Sequence, residues 1–133
     1  MKKFLLRTSL MLSVLLGAWS PLHSQTPIDA ETTKQALAAI DRYVQKDVEL
    51  KKSFLIVDPR SGEPVRLTFD HVHQGVKPHT KGYLACVDFT DEAGGLYDVD
   101  VVVGGSGNEM AVQEVFVHKV DGNPVTEKGS GSK

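Results

Sequence analysis

The chain has 133 residues, a formal net charge of −2 and one cysteine. This length suits one small domain around one core, and without a basic excess nucleic acid is not an expected partner. A single thiol excludes a disulfide within the chain.

The N-terminal segment has the pattern of a secretory signal peptide. Lys2, Lys3 and Arg7 precede an apolar run from Leu10 to Ala18, which is too short to span a bilayer comfortably. We predict cleavage after Ser24, a periplasmic or secreted mature chain without a membrane span, and no lipid anchor, because no cysteine lies near that site. The removed segment holds three basic and no acidic residues, so the net charge falls from −2 to −5. Proteins, small molecules or cations are therefore the expected partners.

One helix is predicted next, in "TPIDAETTKQALAAIDRYVQKDVEL". Thr26 is the expected N-cap, Pro27 suits the first turn, and the early acids Asp29 and Glu31 suit the positive end of the helix dipole. One apolar stripe recurs at helical spacing and needs a surface to cover. It consists of Thr33, Leu37, Ile40, Val44 and Val48.

Five strand-like runs follow, separated by turn-forming residues. They are "SFLIV" (53–57), "VRLTFDHV" (65–72), "YLACVDF" (83–89), "LYDVDVVV" (96–103) and "MAVQEVFVHKV" (110–120). Their short connections favour antiparallel neighbours. We predict an α+β fold in which one N-terminal helix packs on a five-stranded antiparallel meander sheet. The predicted segments are a signal peptide (1–24), a single α+β domain (25–125) and a disordered tail (126–133).

Alternation along the last three strands predicts which side chains share a face. If Phe89 pairs with Tyr97, then Asp88 stands opposite Asp98 and Cys86 opposite Asp100. The apolar sides of these strands, with Val99, Val101 and Val115, should face the helix and leave a charged side in water. That side would carry an acidic patch, with His118 at its edge. The predicted ligand surface is this patch or, alternatively, the histidine-bearing strand end. The patch consists of Asp88, Asp98, Asp100 and Glu114.

Two metal chemistries are open for this side of the sheet. The carboxylates of the acidic patch suit a hard cation such as calcium, although solvated sheet faces are polar by default. The "HVH" pair and the other imidazole and thiol groups suit zinc or copper. This second candidate set consists of His71, His73, His79, Cys86 and His118.

Enzymatic catalysis is not predicted, and neither is a bound cofactor other than a divalent metal. Cys86 and His118 are suitable residue types for nucleophilic catalysis, but a thiol in mid-strand lacks the helix N-terminus or exposed turn that lowers its pKa. We predict that Cys86 is a packing residue; an intermolecular disulfide and a reactive thiol are the alternatives. The glycine-rich "GGSGN" joins two strands without a following helix and indicates a hairpin turn.

The motif series "YLACVDF", "LYDVDVVV" and "HKVDGNP" resembles a group of small exported bacterial proteins, a resemblance that implies no activity. The helix and meander are also similar in layout to cystatin-like and nuclear-transport-factor-2-like domains. "QGVKP" departs from the inhibitory cystatin hairpin at Pro78, where that family has Gly, so only the layout carries over.

Three functions remain open at this point. The first is an exported binding or accessory module for a protein or small ligand, without catalytic activity. The second is a periplasmic metal-binding protein that uses a His, Cys and Asp cluster. The third is a structural subunit that forms a homodimer through an open sheet edge.

Overall fold

A computed structural model describes residues 27–125. The predicted signal peptide and C-terminal tail lie outside the described residues.

Helix α1 spans Ala30–Lys51 and packs on the sheet through the predicted stripe. Ile40 and Val44 are fully buried, with Leu37 and Val48 packed at the margin of the core. Ala36 is also fully buried, which lets the helix approach the sheet closely. Burial of each large aliphatic side chain contributes roughly 1.5–3 kcal/mol, so this face holds the helix in place.

The predicted N-cap at Thr26 is wrong, because the helix begins three residues beyond Pro27. Asp29 is the N-cap; its Oδ1 accepts from the Thr32 N–H at 2.8 Å and its Oδ2 from the Thr32 hydroxyl at 2.7 Å. An aspartate carboxylate satisfies an orphan N–H and interacts with the helix dipole, which a threonine hydroxyl does less strongly. These two hydrogen bonds lower the pKa of Asp29.

Seven strands form the sheet, with a 3-10 turn at Gly107–Glu109: β1 (Phe54–Val57), β2 (Pro64–Val72), β3 (Lys77–His79), β4 (Gly82–Thr90), β5 (Leu96–Gly104), β6 (Ala111–Val120) and β7 (Asn123–Pro124). Their order is β1-β2-β4-β5-β6-β7, with β3 paired to one end of β4, and every pairing is antiparallel. The α+β prediction is confirmed, and its five strands correspond to β1, β2, β4, β5 and β6. Two short strands are additional, because the segments around Pro78 and Pro124 pair with neighbours.

One face of the curled sheet lies against α1 and forms the core. Val99 and Val101 are fully buried in the cluster that contains Ile40 and Val44, as predicted. Phe54 and Phe89 stack there with ring centroids 4.6 Å apart. We call the opposite side of the sheet, turned away from α1, the second face.

The pairing of β4 with β5 follows the predicted register. Phe89 stands opposite Tyr97, which places Asp88 opposite Asp98 and Cys86 opposite Asp100. The second face is not uniformly exposed, however, because Asp100 is only 6% exposed and Val102 is fully buried. The prediction of a wholly solvated charged side is therefore wrong at these two positions.

Three register shifts interrupt the pairing, one in β2 and two in β6, and Gln113 is the extra residue of the shift opposite Val102 and Val103. In β2 the register shifts between Phe69 and His71, so that Asp70 is the extra residue and His71 pairs with Asp88. In β6, Val117 pairs with Val99 and Lys119 with Asp98, so that His118 is the extra residue. Strict alternation from Phe69 would have directed His71 toward α1, whereas the bulge turns it onto the second face.

The buried carboxylate of Asp58 links the turn between β1 and β2 to Tyr97 in β5. Asp58 forms a bidentate ion pair with Arg60, in which Oδ2 lies 2.7 Å from Nη2. The same carboxylate accepts a hydrogen bond from the Tyr97 hydroxyl at 3.0 Å. The hydrogen bonds from Arg60 lower the pKa of Asp58 to about 2, although its burial acts in the opposite direction.

Candidate metal-binding site

Seven polar side chains cross the second face from β2 to β6. His71 lies in β2 and His73 directly after it, His118 lies in β6, and the two central strands contribute the acids and the thiol. They are His71, His73, Cys86, Asp88, Asp98, Asp100 and His118. The structure divides most of them into two groups of three.

The first group, which we call the histidine cluster, consists of His71, His73 and Asp88. His73 Nε2 lies 2.9 Å from Asp88 Oδ1, and His71 Nε2 lies 3.6 Å from Asp88 Oδ2. The two imidazole rings stack with centroids 5.2 Å apart and planes 12° from parallel. One ligand atom from each residue lies within 4.8 Å of the other two. Two nitrogens and a carboxylate oxygen therefore converge on one point of the sheet surface.

Asp70 orients the His71 ring. Its Oδ2 lies 3.0 Å from His71 Nδ1, which leaves Nε2 directed toward Asp88. In metal sites, the ring nitrogen of a histidine that does not bind the ion usually donates to a carboxylate, which sets the tautomer and the ring angle. Asp70 therefore lies where a carboxylate would orient His71 if that histidine bound a metal through Nε2.

One carboxylate oxygen of Asp88 is buried without a hydrogen-bond donor among the described residues. Its Oδ1 is shielded from solvent and accepts no hydrogen bond within residues 27–125, although His73 Nε2 lies 2.9 Å away. A buried oxygen without a donor is costly unless a cation or a proton approaches it. This orphan oxygen faces the histidine cluster.

The second group, which we call the thiol cluster, consists of Cys86, Asp100 and His118. Cys86 Sγ lies 2.7 Å from Asp100 Oδ1, and His118 Nδ1 lies 3.1 Å from Asp100 Oδ2. Burial raises the pKa of the Cys86 thiol to about 12, and the hydrogen bond and negative charge of Asp100 act in the same direction. In a nucleophilic site the histidine stands between the nucleophile and the carboxylate. Here the carboxylate stands between the thiol and the histidine, so the order of the three groups differs from that of a nucleophilic site.

The acidic patch does not form one oxygen-only site. Among the described residues, no three of its carboxylates converge; Asp88 belongs to the histidine cluster and Asp100 to the thiol cluster. Glu114 pairs with Lys81, which lowers the pKa of Glu114. Asp98 lies opposite Asp88 in β4 and opposite Lys119 in β6.

His79, from the predicted zinc or copper set, lies apart. It is in β3, its Nδ1 accepts from the Lys81 N–H at 3.2 Å, and it joins neither group of the described residues. It lines an open depression of about 610 Å³ with Glu114, Phe116 and His118.

Sequence reasoning did not unite Asp88 with the two histidines and did not single out Asp70. A signal was present: the apolar residues Phe69 and Val72 are three apart, and Val117 and Val120 repeat this spacing. Such a break in strict alternation is typical of a bulge.

Within the part of the chain that the structure describes, no helix combines the length and the apolar character needed to cross a membrane. The chain matches no family model, no curated protein and no solved structure. The motif resemblance to small exported bacterial proteins therefore stays a prediction.

Proposed function

We propose that this chain is an exported, non-catalytic protein that binds a divalent transition-metal ion of the zinc class at the histidine cluster. The observation that carries the proposal is the convergence of His71, His73 and Asp88 on one point, with ligand atoms within 4.8 Å of one another. The sequence pattern of residues 1–24 supports the exported location.

The distances support an ion of this size. Nitrogen and oxygen ligands bind zinc at about 2.0–2.2 Å, which places neighbouring ligand atoms roughly 3–3.5 Å apart. His73 Nε2 lies 2.9 Å from Asp88 Oδ1 and His71 Nε2 lies 3.6 Å from the other oxygen of that carboxylate, Oδ2, and both distances are close to that spacing. Small rotamer adjustments would bring the three ligands to one ion, whose charge would also satisfy Asp88 Oδ1.

The donor set favours zinc or copper over calcium, because imidazole nitrogen suits these ions and calcium prefers oxygen. Three protein ligands leave a coordination position for water or for a ligand from a partner. His73 and Asp88 are 43% and 28% exposed, so a bound ion stays in contact with solvent. This setting suits binding and exchange of metal, whereas catalysis usually employs an enclosed, water-poor pocket.

The competing explanation is an ordinary surface ion pair, in which protonated imidazoles neutralise Asp88. Exposed pairs of this kind contribute about 0–1 kcal/mol and require no metal. The two explanations differ in whether zinc binds and in which histidine it needs.

Calorimetric titration with Zn²⁺ separates them. The protein is purified without a histidine tag, kept reduced and studied in the Cys86→Ser background, so that heat from the thiol is removed. We expect His73→Ala to weaken zinc binding at least tenfold, on the order of the loss seen when metal-site groups are removed. His79→Ala is the matched control and should leave binding unchanged. Absence of zinc binding in the folded protein, or equal affinity in both histidine variants, would contradict the proposal.

A further inference from the structure

The thiol cluster lies beside the histidine cluster and shares no residue with it. Cys86 and Asp88 are two residues apart on β4 and point to the same face, which places them about 7 Å apart along the strand. Asp100 stands opposite Cys86 in β5, and His118 enters from the bulge in β6.

Asp100 is the centre of this cluster and is 92% buried by side-chain area, since its side chain is 8% exposed. It is held by two groups that are themselves metal ligands, at 2.7 Å from the Cys86 sulfur and 3.1 Å from His118 Nδ1. A buried carboxylate that lacks a permanent basic partner carries a desolvation cost, which a metal ion bound by all three groups would offset.

The donor atoms here are softer than those of the histidine cluster. A thiolate, an imidazole nitrogen and a carboxylate oxygen form a mixed set that zinc accepts in tetrahedral sites with one open position. Thiolate also favours ions such as zinc over calcium or magnesium. Their ligand atoms lie within 4.8 Å of one another.

Two of the three ligands are partly open to solvent. His118 is 44% exposed and lines the open depression of about 610 Å³ that also contains His79 and Phe116. Cys86 is half-buried, so its sulfur is not enclosed in the core.

We infer that Cys86, Asp100 and His118 form a second metal site, specific for a thiophilic divalent ion of the zinc class and separate from the histidine cluster. Binding replaces the thiol proton: the ion forms a bond with sulfur, the S–H bond breaks, and the proton passes to solvent with no change in oxidation state. Because the two clusters share no ligand, this site does not require the first one to bind metal.

Cobalt reports directly on a sulfur ligand, because a cobalt thiolate bond gives a charge-transfer absorption that nitrogen and oxygen ligands do not. We expect Co²⁺ to produce this absorption in the mature, reduced protein and Zn²⁺ to remove it by competition. Cys86→Ser should abolish it. His118→Ala, which keeps the thiol, should weaken Co²⁺ binding at this site at least tenfold. His73→Ala should leave the absorption intact.

Protection of the thiol gives a measurement on the unmutated protein. Saturating Zn²⁺ should slow alkylation of Cys86 at least tenfold, and the protection should persist in His73→Ala. No sulfur-to-cobalt absorption in the folded protein, no protection by Zn²⁺, or absorption that is undiminished in His118→Ala would each overturn the inference. Failure of the first site instead appears as loss of His73-dependent zinc binding in the Cys86→Ser background, so the two failures are distinguishable.

Discussion

His71 Nδ1 lies 3.0 Å from Oδ2 of Asp70, the residue that forms the bulge in β2. The bulge at Asp70 therefore has two effects. It turns His71 onto the second face opposite Asp88, and it supplies the carboxylate that orients the ring.

We expect Asp70→Asn to weaken zinc binding at the histidine cluster by about 10–100-fold while leaving the fold intact, because the amide orients the imidazole less strongly than a carboxylate. Calorimetry in the Cys86→Ser background measures the change. Glu63→Gln is the control, since it removes an exposed acid at the far end of the β1–β2 turn. In a His71→Ala background the effect of Asp70→Asn should disappear; equal losses in both backgrounds would show that Asp70 acts independently of His71.

Cys86 should react slowly with thiol reagents in the metal-free native protein. Its pKa is raised from 9.0 to about 12 by burial and by Asp100, so at pH 8 the thiolate is rarer than in the unfolded chain. Alkylation should be at least about 100-fold slower in the native protein than in urea, because the thiolate is the reacting form. Asp100→Asn should speed the native reaction, whereas Glu114→Gln, on the same face, should not. Native labelling as fast as in urea would contradict a hindered, protonated thiol.

The ion pair of Asp58 with Arg60 should make stability depend on acid pH. The folded pKa of Asp58 is lowered from 3.8 to about 2, so this contribution is present above pH 3.8 and is lost as pH falls through about 2. A shift of this size corresponds to about 2 kcal/mol of unfolding free energy, most of which is lost by pH 2. Urea unfolding at pH 6 and pH 2 measures it. The loss of stability between these pH values should be smaller in Asp58→Asn by about that amount, and an identical loss in both proteins would exclude Asp58 as the cause.

The packing of α1 on the sheet predicts that truncating a buried side chain of the helix lowers the unfolding free energy far more than truncating an exposed one. Ile40→Ala removes a fully buried side chain and should lower the unfolding free energy by about 2–5 kcal/mol. Leu50→Ala is the matched control, because Leu50 is 71% exposed and surface changes usually stay within about 0.5 kcal/mol. Chemical denaturation compares the two, and similar losses would contradict the assignment of the buried helix face.

Much of the architecture follows from local pattern. Ile40 and Val44 at helical spacing identified the buried face of α1, and the short turn after Phe89 made its pairing with Tyr97 predictable. Period-two alternation then placed Cys86 opposite Asp100. These features depend on residues that are close together in the sequence, so the spacing of residues along the chain predicts them.

For the candidate site, the sequence predicted which residue types take part but not how they are arranged. The histidines, the thiol and the acids were identifiable as candidate metal ligands, but strict alternation gave no reason to place His71 beside Asp88. That contact depends on the bulge at Asp70, where the pairing of β2 with β4 shifts by one residue. The burial of Asp100 likewise depends on Cys86 and Phe116, which stand opposite it in two other strands. Alternation is a property of one chain segment, whereas a register shift and the burial of a charge arise from contacts between strands, and these exist only once the sheet has formed.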